Sequence, residues 1–261
     1  MSYLVFDIET TGKSYDELDE TTKGYFRQWA ERDAQTEGQV ERELEQIKKG
    51  LPFSPFLGEV VAIGMTDDRN NGAVYFRNDG NLAPRCALPK LGKAKEGSPK
   101  GEVGDFEEDN IKYRAGSEKE ILEKFWEVAR NYFTFVTFNG RAFDAPFLMI
   151  RSAVHDIRPS RNLMPNRYLS LQKYGPQHID LSDQLTFYGA MRRLPKLHFV
   201  TKAFNIESPK EGGMSGEEVP QAFKDGRYEE IARYCMDDVV ATKKLFQYWD
   251  QFLNFELNMK A

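Results

Sequence analysis

The chain has 261 residues, 40% of them apolar and 13% aromatic, with a net charge of -5 at pH 7; that is enough apolar material for a substantial core in one large domain or two small ones. Two cysteines, Cys86 and Cys235, are too few for a secreted disulfide scaffold, no basic leader with an apolar stretch opens the chain, and no apolar run is long enough to cross a membrane, so a soluble cytoplasmic protein is expected. The negative total counts against indifferent binding of nucleic acid; the local excess of Arg151, Arg158, Arg161, Arg167 and Lys173 over the single acid Asp156 reads first as solvated surface.

"YLVFDIETTG" (3–12) opens with a buried-strand pattern, predicted over 2–8, that runs into Asp7 and Glu9. Side chains two apart on a strand point the same way, so these carboxylates share a face and repel, and something must compensate them. From 14 to 50 the pattern turns helical, with Phe26, Trp29, Val40, Leu44 and Ile47 on apolar stripes and a break near Gly38. The segment is expected to pack on the domain rather than to dock a protein partner. Segments 59–67 and 72–77 read as a hairpin around Asn70, Asn71 and Gly72. Residues 79–110 lose all periodicity and read as a long surface loop, closed by a short strand in "IKYRAG" (111–116). Ser117 and Glu120 form a capping box for a helix reaching about Tyr132. "FTFVTF" (133–138) reads as another strand. Helices are predicted over 142–153, near 181–190, near 196–204, and from 228 to about 255, the last with Ile231, Cys235, Thr242, Leu245, Trp249 and Phe252 along one stripe. A meander of strands followed by alternating strands and helices implies an α/β mixed sheet flanked by helices. One domain over 1–261 is expected, with insertions at about 13–55 and 79–110.

After the 133–138 strand, "NGRAFDAPFL" places Asp144 in the first turn of a helix, where it would also suit the helix dipole. On the last helix Tyr234 and Asp238 are four apart and share a face, while Asp237 points the other way around the helix and stays a second-choice ligand. Four carboxylates gathered from distant segments would raise one another's pKa values unless a cation neutralised them. Oxygen ligands without histidine or cysteine suit magnesium or manganese rather than zinc.

"FDIETTG", "NGRAFDAPFL" and Tyr234-Cys235-Met236-Asp237-Asp238 together resemble the three motifs of the DEDD exonuclease superfamily, whose fold is similar to ribonuclease H. More narrowly, the chain resembles the stand-alone predicted 3′–5′ exonucleases related to the proofreading domain of family B DNA polymerases. The resemblance implies a ribonuclease H-like fold and a two-ion Mg²⁺ or Mn²⁺ site, with Asp7, Glu9, Asp144 and Asp238 as metal ligands. It makes Tyr234 the residue that orients the attacking water, as in the superfamily's tyrosine branch; His155, His178 and His198 lack the spacing of the histidine branch. It also implies that Asn139 and Phe143 contact the terminal nucleotide, that Thr10 and Thr11, just past the first strand, approach the 3′ end through backbone amides, and that Lys210, in the glycine-rich segment 208–219, touches phosphate. Asp180 in "HIDLSDQL" is at least as well explained as a helix cap. The implied activity is hydrolysis of terminal phosphodiesters in single-stranded DNA or frayed duplex ends. The alternatives are a 3′–5′ exoribonuclease and a module that grips single strands without cleaving them.

Overall fold

The computed structural model describes residues 2–78, 104–191, 195–206 and 214–255. Seven strands form one mixed sheet: β1 (Tyr3–Gly12), β2 (Gly58–Asp67), β3 (Gly72–Arg77), β4 (Phe106–Glu108), β5 (Ile111–Gly116), β6 (Thr134–Thr137) and β7 (Gln177–Asp180), in the order β4-β5-β3-β2-β1-β6-β7. β1, β2 and β3 run as an antiparallel meander, β5 lies parallel to β3, and β6 and β7 lie parallel to β1 on its other side. The hairpin between β2 and β3 turns through Asn70, which adopts a left-handed φ of 64°.

Alternation along β1 assigns its two faces. Leu4, Phe6 and Ile8 pack with Ile63, Met65 and Phe135 against helices α3 (Glu118–Ala129) and α4 (Asp144–Val154). Val5 points the other way, packing with Val61, Val74 and Val136 against the long helix α8 (Tyr228–Phe252) through Ile231, Cys235, Val239 and Trp249. By the same period of two, Asp7 and Glu9 fall on the α8 side. Helices α5 (Leu181–Leu185), α6 (Leu197–Ala203) and α7 (Val219–Lys224) cluster on that side too, contributing Leu181, Val200 and Val219 to its core. Between β1 and β2, α1 (Glu20–Asp33) and α2 (Glu37–Gly50) form the expected helical insertion, and Leu18, Phe26, Ala30, Val40, Leu44 and Leu51 make a core cluster of their own.

Several sequence expectations need correction. β1 does not stop at residue 8 but runs to Gly12, because its partner strand continues to Gly58 beyond a register shift between Glu9 and Thr10. Residues 79–103 of the expected loop lie outside the described residues, while 106–108 form β4, joined to β5 by Asp109 and Asn110, both at positive φ. The capping box at Ser117 is present, but α3 ends at Ala129. The helix expected over 181–190 is cut to one turn, since Phe187, Tyr188 and Gly189 all take left-handed φ. β7 and α7 were not anticipated. Trp29 and Phe252, placed on apolar stripes, are more than half exposed. Among the described residues, no helix is long and apolar enough to cross a membrane.

His178 sits in β7 with its Nδ1 2.8 Å from the Leu163 carbonyl and its Nε2 2.8 Å from Thr137 Oγ1. Full burial pushes its pKa down to about 4. A group whose folded pKa lies below its unfolded value of about 6.5 adds stability above that value and loses it as pH falls towards the folded one. The melting temperature is therefore expected to drop between pH 6.5 and 4 by the equivalent of roughly 3 kcal/mol more than in His178→Gln. Parallel melting profiles for the two proteins would refute this.

Candidate active site

β1 and α8 meet over a single glycine. Gly64 of β2 pairs with Asp7 in the ladder, and a Cβ there would stand 3.0 Å from Cys235 Sγ and from Val239 Cγ2 of α8. Glycine thus lets the helix lie directly on the strands. The Cys235 thiol accepts from the Gly64 N–H at 3.2 Å and donates towards the Asp7 carbonyl at 3.5 Å, tying the helix to that rung. Burial holds this thiol protonated by pushing its pKa far up.

The close approach delivers Asp238 to Asp7 and Glu9. One carboxylate oxygen from each lies within 4.8 Å of the others; Glu9 and Asp238 are buried and Asp7 is half-buried. Tyr234, one turn before Asp238, is buried with its hydroxyl hydrogen-bonded to that aspartate. Burial first, then the charges of Glu9, Asp238 and Asp7, push its ionisation far above the usual tyrosine range, so the hydroxyl keeps its proton. Asp237 is exposed on another face of α8.

Asp144 is placed by a different device. Parallel pairing between β1 and β6 covers only Tyr3 to Val5, and beyond it the Asp144 carboxylate accepts the Ile8 N–H at 3.0 Å. The side chain thereby takes over from the strand that has peeled away, lying beside β1 between Asp7 and Glu9 in sequence. It is not among the three acids within 4.8 Å of one another. Its carboxyl is pushed up to about 7, chiefly by burial and further by Asp180 and Asp238.

The loop that leads to Asp144 is held by Asp180. This aspartate caps α5 through the Ser182 N–H, as expected, and also accepts the backbone N–H groups of Asn139 at 2.8 Å and Arg141 at 2.9 Å. Its grip on the loop is a role the sequence reading missed; an acid ending a short strand was the only signal. Asn139 takes a left-handed φ of 63°, and Gly140 has Thr137 Oγ1 only 2.4 Å from where a Cβ would stand. Phe143 is half-buried, edge-on to Phe53 at 6.0 Å.

Thr10 and Thr11 do not lie past the strand. They are buried inside β1, paired with Val60 and Glu59. Lys210 lies outside the described residues. His155 contacts Glu118 at 2.7 Å, His178 is enclosed in β7, and His198 lies on α6; none belongs to the acid cluster. The donor set of Asp7, Glu9 and Asp238 is oxygen only, which fits a hard divalent cation such as Mg²⁺ or Mn²⁺.

A family model described as "Predicted 3'-5' exonuclease related to the exonuclease domain of PolB" matches residues 98–257. That span contains Asn139, Phe143, Asp144, Tyr234 and Asp238 and leaves β1 outside, so geometry alone joins Asp7 and Glu9 to the matched residues. No curated protein matches the chain. Among solved structures, that of the family B DNA polymerase from the hyperthermophilic archaeon Pyrobaculum calidifontis is similar, with a TM-score of 0.54 at 15% identity, covering 97% of this chain and 25% of the polymerase chain. This likeness shows the fold, the α/β ribonuclease H-like mixed sheet expected from the sequence. The chain spans about a quarter of that polymerase's length.

The Gly64 contact yields a direct test. Gly64→Ala forces α8 off the sheet and is expected to cost about 1–3 kcal/mol of stability in urea unfolding. Adding Val239→Ala, which removes one of the two opposing side-chain atoms, should recover part of that loss. A Gly64→Ala protein as stable as the parent would show that the approach constrains nothing.

Proposed function

Because the chain belongs to the family of predicted 3′–5′ exonucleases related to the exonuclease domain of PolB, we propose that it is a metal-dependent enzyme removing nucleotides from the 3′ ends of single-stranded DNA or frayed duplexes. The observation that carries this reading is the meeting of Asp7, Glu9 and Asp238 beside the Tyr234 hydroxyl. Three carboxylates within reach of one another, one of them buried on an otherwise apolar helix face, make poor packing and a good cation cradle.

Asp7, Glu9 and Asp238 would hold divalent metal directly, with Asp144, fixed to the Ile8 N–H of β1, completing the carboxylate set. When bound, a pair of divalent ions activates water and steadies the departing 3′ oxygen. Tyr234 keeps its phenolic proton in the midst of the carboxylates, so its hydroxyl can orient the attacking water by a hydrogen bond and takes no covalent part. Asp180 holds the Asn139–Arg141 backbone, and that loop would present Asn139 and Phe143 to the terminal nucleotide. A half-buried phenylalanine preceding Asp144 can stack on a base without reading its identity. Thr10 and Thr11, their side chains inside the sheet, would contribute through backbone alone. The complete carboxylate set argues against a module that only binds. Because phosphate and metal contacts do not distinguish the sugar, an RNA end is the alternative substrate.

End-labelled single-stranded DNA and RNA of one sequence, digested with each metal, should show stepwise loss from the 3′ end, fastest on DNA, stopped by chelator and restored by manganese. Asp7→Ala and Asp238→Ala should abolish it, and Tyr234→Phe should retain activity lowered by about a hundred-fold. Full turnover by the Asp7 variant would end the proposal. Separately, millimolar Mg²⁺ or Mn²⁺ should relieve carboxylate repulsion and raise the melting temperature by about 5 °C, an increase that Asp7→Ala loses. A melting curve indifferent to both metals would count against a preformed site.

A further inference from the structure

Where β1 ends, a cleft of about 760 Å³ opens between the helical insertion and α7. Its walls carry Lys13, Lys48, Lys49 and Lys224 against the two acids Asp16 and Glu217, a local excess of cations in a chain whose net charge is -5. We propose that this cleft takes the phosphodiester backbone of the single strand whose 3′ end lies at the carboxylates, so that the insertion is the second wall of the substrate track. The inference rests on the exonuclease reading for its choice of ligand.

Position supports it first. Gly12 lines the cleft and is three residues beyond Glu9 on the same strand, about 10 Å at the rise of an extended chain. Phe53, also in the lining, is 46% exposed and packs edge-on against Phe143, the residue before Asp144. The Phe53–Phe143 pair therefore links the cleft to the loop that carries Asp144, and a strand lying in the cleft would be led towards the carboxylates.

Charge supports it independently. Two lysines of the insertion are spoken for: Lys23, outside the cleft, pairs with Glu20 at 2.9 Å, and Lys48, in its wall, pairs with Glu45 at 2.6 Å while lying over the Tyr15 ring. Lys13, Lys49 and Lys224 are exposed, and among the described residues they form no ion pair. They come from three separate segments, the residue after β1, the end of α2 and the end of α7, yet the fold turns them onto one cleft. Its floor is fixed as well, since a Cβ at Gly12 would stand 2.8 Å from the Pro52 nitrogen and one at Gly58 2.7 Å from the Pro52 carbonyl oxygen. A basic groove with a fixed floor and an aromatic ring at one end is the chemistry that tracks a single-stranded backbone without reading its sequence.

The test is fluorescence anisotropy of 5′-labelled dT12 and dT3 with the full chain in chelator, where binding is read without turnover. In K13E/K49E/K224E, affinity for dT12 should fall by about ten-fold or more, affinity for dT3 by less than about two-fold, and the salt dependence of log Kd should become shallower by about 2. K13Q/K49Q/K224Q should lie between the two proteins, and unchanged melting curves for these surface variants would exclude misfolding as the cause. Equal dT12 affinity and salt slope in parent and variant would overturn the proposal. So would loss of poly-glutamate binding with dT12 binding kept, which would make the cleft a seat for an acidic protein segment. Length-dependent binding by a protein that cleaves nothing would sustain the cleft and remove only the exonuclease reading.

Discussion

Mutual repulsion of Asp7, Glu9 and Asp238 is the constraint around which this molecule is organised. Their oxygens come within 4.8 Å of one another on the face of a sheet that otherwise buries valines. Such an arrangement persists only if packing on either side of it outweighs the repulsion. Here the packing is ample. Val5 and Val61 on the strands and Ile231, Val239, Leu245 and Trp249 on α8 interlock across the sheet, and Gly64 allows the helix to settle at the depth where Asp238 meets β1. Burying each of these side chains removes apolar surface worth about 1.5–3 kcal/mol from water, so several of them together can hold charges that would otherwise part.

Asp144 obeys other rules. It is fixed to the backbone of β1 by the Ile8 N–H and carried on a loop whose own amides are taken up by Asp180. Three segments far apart in the chain, the middle of β1, the loop after β6 and the end of β7, thus converge through hydrogen bonds to main-chain nitrogen rather than through ion pairs. Main-chain donors cannot be withdrawn by rotamer changes, and this makes the position of the fourth carboxylate insensitive to its neighbours' charges. Convergence at the carboxyl ends of adjacent parallel strands is where open sheets place their ligands.

Much of this was legible in the amino-acid sequence because it depends on local periodicity. Two-residue alternation put Asp7 and Glu9 on one face, the four-residue spacing put Tyr234 and Asp238 together, and the Ser117 capping box fixed the start of α3. What escaped depends on partners distant in sequence. Thr10-Thr11-Gly12 looks like a strand exit, yet Glu59 and Gly58 across the ladder extend the pairing. β7 is four residues long and begins with Gln177 and His178, too short and too polar to announce itself. Trp29 and Phe252 fit helical stripes, but a stripe does not say how wide the opposing surface is. That Asp144 stands beside the three-acid group rather than inside it is decided by where β6 leaves β1, which no spacing encodes.

The α1–α2 pair encloses its own apolar interior of Phe26, Ala30, Val40 and Leu44, separate from those on the two faces of the sheet. A subunit of the fold with an apolar interior of its own can be reshaped without reopening the larger core. A change of shape there leaves the acid cluster of Asp7, Glu9 and Asp238 as it is. Diversity among proteins of this architecture would then be sought in what lies between the first two strands.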